Sequence, residues 1–191
     1  MVAVIMKISA SKYFNVGQVM LALALLTSLF LLPNYFFSLD QGGVSNYGTE
    51  SKTQILFSIG FGVAAFLTFL ASKNLTKSAQ SSRVLKINLI ILSVLYVLLL
   101  ISTYPYKIND LYRSIHEYIA MALFIFMIFF VTWIRCKKDK DNPFIKRMFW
   151  VFLAGIVVAG LTLFGFIHLL FTAQIISGMA FALIVSNALK N

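Results

Sequence analysis

The stretch 84–103, VLKINLIILSVLYVLLLIST, decides the fold class. Its single charge, Lys86, stands near its start, and from Ile87 to Thr103 there is none. About 20 residues at 1.5 Å per residue cross the ~30 Å hydrocarbon core of a bilayer. Hydrocarbon offers no partner to a bare peptide N–H or C=O, so a segment of this kind crosses as a helix. Tyr104-Pro105 follows it and stops it.

Working outward, five further stretches read the same way: 16–37, 54–72, 115–134, 144–167 and 169–189. The first contains Pro33 near its end. It resembles the apolar part of a signal peptide, but it is longer than the ~7–15 residues such a region needs and no small-x-small site follows, so it reads as a retained helix. The last two stretches are joined by almost nothing, and the break is expected near Phe166-Ile167-His168. The expectation is therefore an all-α integral membrane bundle of six transmembrane helices, with residues 1–191 forming one domain.

Composition agrees. The chain is 60% hydrophobic and 12% charged over 191 residues, and 19 of them are Phe. Mean hydropathy is +0.90. Soluble domains average roughly 45–50% apolar and about 25% charged. Lipid removes the conflict by letting apolar side chains face outward. The net charge of +10 would suggest nucleic acid in a soluble protein. Here the cations sit in short loops between apolar runs, so the expected partners are membrane lipids, with no nucleic acid. One cysteine, Cys136, excludes an intrachain disulfide and reads as a free juxtamembrane thiol.

Capping patterns mark several helix starts. Ser51-Lys52-Thr53-Gln54 and Ser114-Ile115-His116-Glu117 match the capping box. Asn142-Pro143 reads as an N-cap followed by Pro at the first helical position. Gly60 with Ala64, Gly155 with Ala159, and Ala173 with Ser177 place small residues on one helix face, where backbones can approach closely.

Loop charges orient the bundle. Thirteen Lys and Arg fall before the first helix, in the second and fourth connections, and after the last helix. Three, Lys52, Lys107 and Arg113, fall on the other face. The positive-inside rule then puts both termini in the cytoplasm of a cell-membrane protein. The Asn74-Leu75-Thr76 sequon would be cytoplasmic and unused.

That orientation gathers polar chemistry outside. Both histidines and four of the six acidic residues are there. His116, Ser45 and His168 are the candidates for a reacting group, and Asn46, Tyr47, Glu50, Asp110, Arg113 and Gln174 for ligand contacts. Each also has a plain structural account. Glu117 stands where a capping box needs it. His116 and His168 fit interfacial hydrogen bonds, and Asp40 and Glu50 fit solvated loop charges. Tyr35, Tyr47, Tyr104, Tyr106, Tyr112 and Tyr118 fit an aromatic belt. No zinc-type ligand spacing, G-x-S-x-G elbow or P-loop occurs, and no metal or cofactor is called for. A haem held between His116 and His168 would need the two rings to face each other. The spans hold almost no charge, which argues against a proton pump or ion-coupled transporter.

The run Gln41-Gly-Gly-Val-Ser-Asn-Tyr-Gly-Thr-Glu50 and the helix start Leu56-Phe-Ser-Ile-Gly-Phe-Gly62 resemble the prokaryotic multi-pass family named "domain of unknown function 998". Tyr104-Pro105 and His116-x-x-x-Ala120 extend the resemblance. That family is distantly similar to DRAM-like and GPI-lipid-remodelling-associated membrane proteins. The resemblance implies a six-helix bundle concerned with lipids. Those relatives often carry an acid in the last helix, where this chain has Gln174. Three functions stay open: a protein with an outward-facing polar pocket for lipid or envelope components, a membrane enzyme acting on a lipid headgroup or ester with His116 as base, and a small transporter or structural subunit.

Overall fold

The computed structural model describes residues 9–33, 43–75, 80–105, 108–166 and 169–190. Six long helices dominate: α1 (Ala10–Leu31), α2 (Gln54–Lys73), α3 (Gln80–Thr103), α4 (Asp110–Trp133), α5 (Pro143–Leu163) and α6 (Leu170–Ala188). A one-turn helix, Asn46–Thr49, precedes α2, and a π-helical turn, Ile134–Lys138, extends α4. No strand occurs among the described residues.

Helix ends are where the sequence reading needs correction. α1 starts and stops earlier than 16–37. Ser9 accepts from the Lys12 N–H and caps its start, because polar residues within the first turns do not interrupt a backbone ladder. At the other end Leu32 leaves helical geometry, as the residue before Pro33 must. α4 begins at Asp110 because Asn109 caps it, accepting from the Tyr112 N–H at 3.0 Å. The pattern Ser114–Glu117 is therefore inside the helix and caps nothing.

α5 ends at Leu163 and not at 167. The Phe166 N–H donates to the Leu161 carbonyl and the Gly165 N–H to the Thr162 carbonyl, both at 2.9 Å. Gly165 takes φ 78°, a left-handed conformation that a side chain resists. This Schellman turn ends the helix although the apolar run continues past it. At its start, Asn142 accepts from the Phe144 and Ile145 N–H groups with Pro143 in the first turn, as the sequence suggests.

Small residues set the closest helix contacts. Gly17 of α1 faces Ala64 and Leu67 of α2, and Gly60 of α2 faces Ala24 and Leu21 of α1. Gly155 of α5 lies against Ser177 and Ala173 of α6. Ser93 on α3 donates to the Ala65 carbonyl on α2 at 2.8 Å, a direct interhelical hydrogen bond. α6 touches α1, α4 and α5, and Phe181 meets the last two by ring contacts to Phe130 and Phe152. The outward surface keeps large apolar side chains such as Phe30, Phe66, Phe129 and Trp150 exposed. Among the described residues, six helices are long and apolar enough to cross a membrane. The chain is an all-α, multi-pass membrane protein.

Candidate functional site

The polar cluster forms at the end of the bundle opposite the basic loops. The chain from Gly43 to Thr53 folds over that end. Its turns close through backbone bonds from Asn46 N–H to the Gly43 carbonyl and from Gly48 N–H to the Ser45 carbonyl. The Thr53 hydroxyl does not cap α2. It donates to the Tyr47 carbonyl at 2.7 Å, which draws the one-turn helix onto the start of α2. The capping box expected at 51–54 is thus replaced by a longer-range tie.

Tyr47 is fully buried. Its ring meets Phe171 of α6 edge-on, with centroids 5.7 Å apart. Burial raises the Tyr47 phenol above its ordinary range, so the group is neutral at physiological pH. Gly48 has no room for a side chain: a Cβ there would be 2.5 Å from the Thr103 methyl and 2.8 Å from the Phe57 ring. The Val44 N–H donates to Gln174 Oε1 at 2.7 Å, tying the loop to α6. Gln174 thus serves as a backbone acceptor between the loop and α6.

His116 sits in the second turn of α4 and is 3% exposed. Its Nδ1 is 2.9 Å from Ser102 Oγ and 3.4 Å from Thr103 Oγ1, both at the end of α3. The two hydroxyls also donate to the Leu99 carbonyl, at 2.9 and 2.7 Å. The imidazole serves as a clamp between α3 and α4.

Thr103 joins the two halves of the cluster. Its hydroxyl is within reach of His116, and its methyl packs where Gly48 carries no Cβ. Ser45 and Asn46 are half-buried in the loop, and their carbonyls accept from Gly48 N–H and Thr49 Oγ1. Among the described residues the hydrogen bonds of His116 run to Ser102 and Thr103, not to Ser45 or Asn46. The Glu50 carbonyl accepts from Thr53 and Gln54. Asp110 and Arg113 pair at 3.6 Å on the exposed first turn of α4. Asp40 and His168 lie outside the described residues. Among the described residues no three His, Cys, Asp or Glu side chains gather within reach of one metal ion.

Ser102 and Thr103 are the functional candidates that sequence reasoning passed over. The available signal was two adjacent hydroxyls in the last turn of a helix whose preceding two turns are apolar, one short connection before His116. No family model matches the chain, and no curated protein and no solved structure matches it either.

Proposed function

We propose that this protein resides in the cell membrane with both termini in the cytoplasm and engages lipid or envelope components at its outer face through the cluster around His116. The observation that carries this reading is the 2.9 Å contact between His116 Nδ1 and Ser102 Oγ. Buried polar groups at the end of a membrane bundle are costly and are functional candidates for that reason. The loop from Gly43 to Thr53 covers the same end and carries Ser45, Asn46 and Glu50 toward the interface. The thirteen-to-three distribution of Lys and Arg supports the orientation. Kinship with the "domain of unknown function 998" family is part of the proposal and rests on the loop and helix-start residues alone.

The test is complementation of a deletion strain by His116→Ala, Ser102→Ala and Ser45→Ala, with protein abundance measured alongside. Loss of the deletion phenotype's rescue at unchanged abundance supports a site. Full rescue by His116→Ala at normal abundance overturns it.

A second reading, a membrane enzyme with His116 as base, draws on the same contact, with Ser102 in place of Ser45 as its serine. It requires the Ser102 hydroxyl proton to be directed at His116 Nδ1 and not at the Leu99 carbonyl. Labelling of the purified protein by a fluorophosphonate, abolished in Ser102→Ala, is its expected signature. Absence of labelling in the wild type would count against it.

A further inference from the structure

The basic face holds a second arrangement, independent of the His116 cluster. The segment 135–147 carries six cations and two acids. Its shape comes from the π-turn Ile134–Lys138, which closes with the Asp139 N–H donating to the Ile134 carbonyl at 2.9 Å. π-turns are rare and recur at functional positions. The Arg135 guanidinium donates to the Lys140 carbonyl and holds the loop closed. Asn142 braces the far side: its Oδ1 caps α5, and its Nδ2 donates to Asn187 Oδ1 at the end of α6, at 2.9 Å.

Between these braces is an open concavity lined by residues 137–143. Lys138 and Asp139 face each other at 3.8 Å with side chains only 10% and 12% exposed, so they largely neutralise one another. Lys137 and Lys140 are exposed and have no carboxylate partner among the described residues. Asp141 shares the rim. The lining therefore keeps one net positive charge, and the Asn142 cap means that an anion would be held by ammonium groups and not by the amides of α5.

We propose that this concavity binds a phosphate group through Lys137 and Lys140. The ammoniums act as point charges on a rim fixed by the Arg135 and Asn142 bonds, a setting suited to a singly charged phosphodiester. The phosphate comes either from the headgroup of an anionic phospholipid in the adjoining leaflet or from a free anion.

Detergent-purified full-length protein is exposed to dioleoylphosphatidylglycerol or dioleoylphosphatidylcholine, and retained lipid is read by native mass spectrometry. Lys137→Gln/Lys140→Gln is compared with Lys146→Gln/Arg147→Gln, which removes the same charge from exposed positions of the same segment that do not line the concavity. The first pair is expected to lower phosphatidylglycerol retention on the order of tenfold, the equivalent of one charge-assisted contact. The second pair is expected to change it by less than about twofold, since it breaks no such contact. Equal losses in the two variants, at matched thermal stability, would reduce the site to diffuse surface charge and overturn the proposal. Equal retention of the two lipids by the wild type overturns the headgroup source. In that case inorganic phosphate is titrated in its place: binding that depends on Lys137 and Lys140 supports the free-anion source, and no binding overturns the site.

Discussion

His116 Nδ1 lies 2.9 Å from Ser102 Oγ, and this contact joins the start of α4 to the end of α3 across the short connection between them. Interhelical hydrogen bonds in membranes average roughly 0.6 kcal/mol and reach about 1.7. Ser102→Ala should therefore cost about 1 kcal/mol, because Thr103 at 3.4 Å is a weak substitute. His116→Ala also empties a buried ring and should cost about 2–3 kcal/mol. The double variant should cost less than the sum, as expected for residues sharing one bond. Thermal unfolding in detergent measures all three, and strict additivity would show that the contact carries no coupling energy.

Gly60 and Gly62 should respond oppositely to alanine. A Cβ on Gly60 would stand 2.6 Å from the Ala24 Cβ, whereas one on Gly62 meets nothing within 4 Å. Gly60→Ala should destabilise by roughly 1–3 kcal/mol through overpacking. Adding Ala24→Gly should restore much of that loss, since Leu21 is next nearest at 3.5 Å. Gly62→Ala should be neutral or stabilising by up to about 1 kcal/mol, the helix-propensity difference. Unfolding midpoints of the four proteins decide it.

Tyr47 should make stability fall at alkaline pH. Burial raises its phenol above the ordinary value of 10.0 in the folded protein. The neutral phenol's contribution is complete below that value. It declines as pH rises from there through the raised folded value, because the unfolded chain ionises first. Tyr47→Phe removes this titration, so its unfolding midpoint should drop less steeply above pH ~10 than that of the wild type. Parallel pH profiles would show that Tyr47 does not contribute.

Cys136 is exposed in the π-turn of the basic segment, and it is the one cysteine of the sequence. A membrane-impermeant maleimide should label it in inside-out vesicles and leave it unlabelled in intact cells. The reverse pattern would invert the proposed orientation and move the His116 cluster to the cytoplasmic side.

Much of the fold is legible segment by segment. Every long helix of the structure overlaps an apolar run, and Asn142-Pro143 marks the start of α5 in both. The errors fall at ends decided by caps and turns within the apolar or polar flanks. Ser9, Asn109 and Gly165 each shift a boundary because one side-chain bond or one positive φ outweighs the hydropathy around it. The site was half legible. His116 stands out as an imidazole at a helix start, but its partners do not, because serine and threonine in a membrane helix usually bond to their own preceding turn. Ser102 and Thr103 do that as well, through Leu99, and only their second contacts set them apart.

By itself, the sequence determined that the chain is helical, that six segments can cross a bilayer, and that cations crowd one face. These properties are local, because hydrocarbon tests each segment alone for apolar length and internal hydrogen bonding. Only the tertiary structure decided that Ser102 and not Ser45 meets His116, that Gln174 receives the Val44 amide, and that a π-turn shapes the basic segment into a concavity. Those contacts depend on how helices pack side by side. Packing follows from the fit of small faces such as Gly60 against Ala24, and no single segment carries that information.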